Sequence, residues 1–229
     1  MQGEEGKETI DEWTFCTKWI FRDVVSEMDF LIDSIVGEKM KALILNGERK
    51  NESVLSLVAE AVAGELAVQG WEAETIMLRE KKISHCTGCF GCWVQTPGVC
   101  VIDDFGREAA RMVIGSNVMF YLTPITFGGY SSELKKAVDR FACSTLLPFF
   151  KKIEGEIHHE ARYQPLPSLI GIGVLPGPDE ESERIFTKLV ARNAINIHSP
   201  SSHSAVFYKH QGPEFIGKEV RNLLGRVKV

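Results

Sequence analysis

The sequence predicts an α/β fold: a three-layer, doubly wound, five-stranded parallel sheet with an N-terminal helical extension. Three observations lead there. Short apolar runs of strand length alternate with segments of helical period from Lys41 onward. Polar or glycine-rich turns separate them, as in βαβ units, whose crossovers are right-handed. With 229 residues, 44% apolar and 25% charged, the chain is long enough for one large domain plus an extension.

The elements follow in order. Up to about Val36, residues Trp13, Ile20, Val24, Met28, Leu31 and Ile35 recur at helical intervals, with Phe21, Val25 and Ile32 widening the apolar face. This stretch lies outside the alternating pattern, so residues 1–38 are read as an extension and 39–229 as the domain. Lys41–Asn46 reads as a buried strand, Val54–Gln69 as a helix closed by Gly70, and Ala73–Leu78 as a second strand. Asp103 or Asp104 can cap a helix running to about Met112. Asn117–Leu122 is the third strand, and Ser131 caps a helix through Phe141 with Glu133 in its first turn. Residues 146–167 read as irregular. Ser168–Leu175 is the fourth strand, Glu180–Asn193 a helix, Ser204–Tyr208 the fifth strand and Pro213–Leu224 a last helix. Gly171 and Gly173 lie inside a strand rather than opening a helix, so they are read as packing residues and not as a dinucleotide fingerprint.

The densest chemistry is CTGCFGCWVQTPGVC, Cys86 to Cys100, which holds four of the six cysteines at C-x2-C-x2-C-x7-C spacing. Soft thiolates converging within one loop suit an iron–sulfur cluster. Zinc is the competitor, although structural zinc sites usually take two separated ligand pairs. A loop of inert cysteines is the third reading. Gly88, Gly91 and Gly98 would let the backbone wrap closely around a bound group.

In a doubly wound sheet, ligands bind at the carboxyl ends of the strands where strand order reverses. The loop from Asn46 to Ser53 opens a helix, whose free N–H groups suit a phosphate, and Arg49, Lys50, Asn51 and Ser53 add donors. After the third strand, Gly128 and Gly129 permit close approach to a flat ligand, and Phe127 and Tyr130 can pack on its face. A net charge of −5 without a basic cluster argues against nucleic acid. No apolar run reaches membrane-spanning length, the first residues are too acidic for a secretory leader, and clustered thiols fit a reducing cytoplasm.

TPITFGGYSSELKKAVDRF, Thr123 to Phe141, resembles the flavin-ring loop of the NAD(P)H-dependent FMN reductase family, with its TP-x-x-(F/W/Y)-G-x-x-S-x-x-(L/M)-K-x-x-x-D-R pattern. Together with the cysteine motif, the chain is similar to the iron–sulfur flavoprotein branch of that family over about Lys39 to Val227. The resemblance implies a flavodoxin-like domain holding FMN without a covalent bond, a 4Fe-4S cluster, and a homodimer or homotetramer. It implies phosphate contacts at Arg49, Lys50, Asn51 and Ser53, and ring contacts at Pro124, Ile125, Thr126, Phe127, Gly128 and Gly129. Cluster ligands would be Cys86, Cys89, Cys92 and Cys100. One departure stands out. Where the family's phosphate loop reads like GSPRKNGNT, this chain reads GERKNESV, one residue shorter, and Glu48 and Glu52 bring carboxylates toward a dianion.

The expected function is therefore an FMN-dependent oxidoreductase passing electrons between NAD(P)H or ferredoxin, the cluster and FMN. The flavin carries the chemistry, so no side-chain acid or base is required. The alternative is a non-enzymatic electron carrier or redox sensor holding a cluster or zinc.

Overall fold

The structure, a computed structural model, describes residues 39–50 and 53–227. The helix expected within residues 1–38 lies outside the described residues, as do Asn51 and Glu52. In chain order the elements are β1 (Lys41–Asn46), α1 (Ser53–Val68), β2 (Glu72–Met77), a 3-10 turn (Leu78–Glu80), α2 (Gly91–Val94) and α3 (Phe105–Ile114). They continue with β3 (Val118–Pro124), α4 (Ser132–Thr145), β4 (Leu146–Ile153), β5 (Glu156–Ala161) and β6 (Ser168–Leu175). The last are α5 (Glu180–Asn196), β7 (Ser202–Tyr208) and α6 (Pro213–Leu224).

Five strands form one parallel sheet in the order β2-β1-β3-β6-β7. The inner strands β1, β3 and β6 are buried along almost their whole length, which is why each reads as a continuous apolar run. β2 and β7 lie at the edges and are partly exposed. Leu55, Val58, Val62, Ile216 and Val220 from α1 and α6 cover one face. Ala110, Val113, Leu134, Phe141, Phe186 and Val190 from α3, α4 and α5 cover the other. This is the doubly wound, flavodoxin-like architecture. Gly171 and Gly173 act as packing residues: a Cβ there would meet Val190 at 2.3 Å and Ile125 at 2.4 Å.

Most predicted elements stand within a few residues of their expected limits. The correction is at residues 146–167. Instead of irregular chain, β4 and β5 form an antiparallel hairpin. It closes on Glu154 (φ 49°) and Gly155 (φ 86°), the two left-handed residues of a type I′ turn. Glu154-Gly155 was the available signal. A register shift between Leu146 and Phe150 hid the alternation around it.

Candidate functional site

Strand order reverses between β1, which leads to β2 on one side, and β3 on the other. The loops after β1 and β3 therefore face each other at the switch point. The cysteine loop follows β2, at the same carboxyl edge of the sheet.

Asn46 ends β1 fully inside the molecule, and its Oδ1 accepts the Glu48 N–H at 2.9 Å. Its Nδ2 is buried with no hydrogen-bond acceptor. Gly47 is pinned between Leu134 and Ser131, with its N–H donating to Leu122 O at 2.7 Å. Glu48 departs from the sequence expectation: its side chain is 0% exposed and meets Arg79 Nη1 at 2.5 Å. Its charge is offset from below the loop rather than turned outward. Arg49 and Lys50 are exposed, and Ser53 begins α1.

The β3 loop contains a tight turn in which Thr126 and Gly129 exchange backbone hydrogen bonds of 3.1 and 2.9 Å. Phe127 (φ 52°) and Gly128 (φ 75°) are both left-handed. That conformation is strained for phenylalanine, and the ring is 97% exposed. Gly128 is required, because a Cβ would sit 2.5 Å from Ile185. Ile125 turns inward against Gly173, so its backbone rather than its side chain faces the loop surface. Pro124 is half-buried and Thr126 exposed. Tyr130 also turns inward, edge-on to Tyr121 and Phe186, with its hydroxyl accepting from Asn193 Nδ2 at 3.0 Å. It packs in the core and is removed from the residues available to a ring face.

Ser131 joins the two loops. Its hydroxyl donates to Gly47 O at 2.6 Å and caps α4 by accepting from Leu134 N at 3.3 Å. Its own N–H donates to Thr123 Oγ1 at 2.8 Å. Sequence reasoning gave Ser131 the cap alone.

In the cysteine loop, Cys86 and Cys89 are exposed, Cys92 buried and Cys100 half-buried, all as free thiols. All four line one cavity with Thr87, Gly88, Phe90, Ile102 and Arg140. Gly88, Phe90 and Gly98 have positive φ, so the loop folds back on itself. The N–H of Gly91 and then the hydroxyl of Thr87 lower the pKa of Cys89. Burial, reinforced by Cys100, Cys86 and Cys89, raises that of Cys92. Among the described residues no group of three or more His, Cys, Asp or Glu side chains is arranged to hold a single metal ion. Trp93 Nε1 donates to Leu146 O at 3.0 Å and anchors the loop to the hairpin.

Arg140 is the residue that sequence reasoning left without a role. It stands in the Asp-Arg pair ending the ring-loop pattern, and its side chain is 0% exposed beneath the cysteine loop, paired with Asp104 at 2.9 Å. Burial works against the Asp104 charge, but Arg140 and the N–H groups of Ser84 and Gly106 outweigh it and bring the pKa down to about 2.

The fold resembles that of an NAD(P)H:quinone oxidoreductase from Methanothermobacter marburgensis, with TM-score 0.64 and 12% identity over 84% of this chain and 100% of that one. An azoreductase from Bacillus anthracis aligns with TM-score 0.57 and 12% identity over 80% and 99% of the two chains. In sequence, an iron-sulfur flavoprotein of Archaeoglobus fulgidus is 31% identical over 101 residues, 44% of this chain and 45% of that protein. An iron-sulfur flavoprotein of Methanocaldococcus jannaschii is 32% identical over 108 residues, 44% and 51% of the respective chains. The chain thus spans about half the length of the curated relatives it matches. Residues 40–159, more than half of the sequence, match the family described as NADPH-dependent FMN reductase. The chain belongs to the NADPH-dependent FMN reductase family.

Proposed function

We propose that this protein is an FMN-dependent oxidoreductase with a 4Fe-4S cluster on Cys86, Cys89, Cys92 and Cys100. It would exchange electrons with NAD(P)H or ferredoxin on one side and a small-molecule acceptor on the other. The observation that carries the flavin reading is the pair of loops at the switch point, locked together through Ser131 and presenting an exposed, strained Phe127. The residues fit FMN. Arg49, Lys50 and the start of α1 offer cationic and N–H donors to a phosphate, with Asn51 and Ser53 assigned there from the sequence. Asn46 adds an unmatched buried donor. Pro124, Ile125, Thr126, Phe127, Gly128 and Gly129 would border the ring, mainly through their backbone and the Phe127 face.

For the cysteine cavity we favour a cluster over zinc. A tetrahedral zinc draws four sulfurs to about 2.3 Å from one point, whereas a cluster spreads its thiolates over several irons. Four cysteines on the wall of one cavity, at C-x2-C-x2-C-x7-C spacing, support the second arrangement.

FMN, when bound, supplies hydride and one-electron chemistry. The protein's part is to orient the ring on the Thr126–Gly129 turn, hold the phosphate on the β1 loop, and keep the thiolates together. Acids in the phosphate loop would favour a carrier without flavin; of the two, Glu48 pairs with Arg79 and Glu52 lies outside the described residues.

A homodimer or homotetramer in the cytoplasm completes the proposal. Exposed Phe149 (61%), Phe150 (71%) and Ile157 (71%) on the hairpin support burial against another chain. No helix among the described residues is long and apolar enough to cross a membrane. The test is steady-state NAD(P)H oxidation with quinone or flavin acceptors. Turnover that falls at least tenfold in Phe127→Ala supports the enzyme, and no turnover without a partner reductase supports the carrier.

A further inference from the structure

Arg140 reaches from α4 to both ends of the cysteine loop. Nη1 donates to Ser84 O at 3.0 Å and Asp104 Oδ2 at 2.9 Å. Nη2 donates to Ile102 O at 3.0 Å and pairs with Asp104 Oδ1 at 2.9 Å. Ser84 precedes the first cysteine and Ile102 follows the last, so one guanidinium closes the loop at its base. Nε has no acceptor although it is buried. A buried donor left unmade in this way destabilises the fold unless a bound group accepts from it. The residue lines the same cavity as the four cysteines. Burial disfavours the guanidinium charge, but Asp104 and the nearby Cys100 outweigh it and raise the pKa of Arg140. It is a permanent cation buried on the wall of the cysteine cavity.

We propose that Arg140 is a positioning residue for the group in the cysteine cavity, turning its spare Nε–H and fixed charge toward that group and favouring the group's reduced state. The inference rests on the reading of the cavity as a cluster site. Hydrogen bonds to the sulfurs and local net charge are two of the quantities that set a cluster's potential. One-electron reduction adds one negative charge, which a buried cation stabilises. Asp104 offsets that cation. Removing the carboxylate and removing the guanidinium must therefore shift the potential in opposite directions, and the clamp role alone predicts no such opposition.

The experiment uses the full chain purified without oxygen. Iron and acid-labile sulfide are assayed, and the cluster is then titrated with dithionite as the one-electron donor, followed by electron paramagnetic resonance and visible absorption. Asp104→Asn, which keeps a good helix cap, is expected to raise the potential. Arg140→Met is expected to lower it, each by at least tenfold in the reduced-to-oxidised ratio, about 59 mV for one electron. Arg140→Lys is expected to stay nearer wild type than Arg140→Met. Lower thermal stability with unmoved potentials makes Arg140 a clamp only and overturns the proposal. If Arg140→Met does not fold, an unmoved potential in Asp104→Asn overturns it alone. Wild-type protein without iron overturns the cluster reading and this inference with it, whereas iron with unmoved potentials overturns only the inference.

Discussion

Glu48 shows how one partner changes the meaning of a charge. In the sequence it stands as an acid facing an expected dianion. In the structure it is buried against Arg79, which is 25% exposed, and its field is largely cancelled before it reaches the loop surface. Glu48→Gln is therefore expected to change FMN affinity by less than about fivefold, the ~1 kcal/mol scale of a partly exposed pair. Isothermal titration of apoprotein with FMN checks this, and a large gain in affinity would restore the repulsion argument. Asp104 makes a second residue-scale prediction. Its folded pKa, about 2, lies below the ordinary carboxylate value of about 3.9. The stabilisation is thus present above pH 4 and lost as the pH falls toward 2. Denaturant titrations should show the wild type losing roughly 2 kcal/mol of its advantage over Asp104→Asn across that window. A gap independent of pH would mean that the pair does not hold Asp104 ionised. Neither partner was legible in sequence, because Arg79 is 31 residues from Glu48 and Arg140 is 36 from Asp104.

At the scale of elements, two devices position the site. The first is Ser131, which caps α4 while holding Gly47. Ser131→Ala should cost about 1 kcal/mol of stability as a lost cap and should weaken FMN binding as well, because the two loops separate. Thermal unfolding and FMN titration together check it, and lost stability with unchanged affinity would confine Ser131 to the helix. The second is Gly128. Gly128→Val places a branched side chain at φ 75° against Ile185, and should destabilise by about 2 kcal/mol or more. The central strands were readable because burial on both faces writes itself as an unbroken apolar run: β1 and β6 have the limits read from sequence, as does α6, whose buried residues Ile216, Val220 and Leu223 recur at helical spacing. The β4–β5 hairpin was not readable by that rule. Its apolar residues Phe149, Phe150 and Ile157 are exposed, so no inside–outside alternation marks the strands.

On the scale of the molecule, strand order places three loops at one edge: the phosphate-type loop, the turn bearing Phe127, and the cysteine loop. The sequence supplied the order of strands and helices, the cysteine spacing and the ring-loop pattern. It did not supply the ties between loops, which pass through Ser131, Arg79 and Arg140 and join residues far apart in the chain. Those ties fix each loop at the carboxyl edge of the sheet. In the proposed enzyme, FMN and a cluster share this edge. The direct test is an ultraviolet–visible spectrum of protein purified without oxygen, with iron and acid-labile sulfide measured on the same sample. Resolved flavin bands over a broad thiolate-to-iron absorption, with about four irons per chain, are the predicted result. Iron without flavin, or flavin bands without iron, would contradict it.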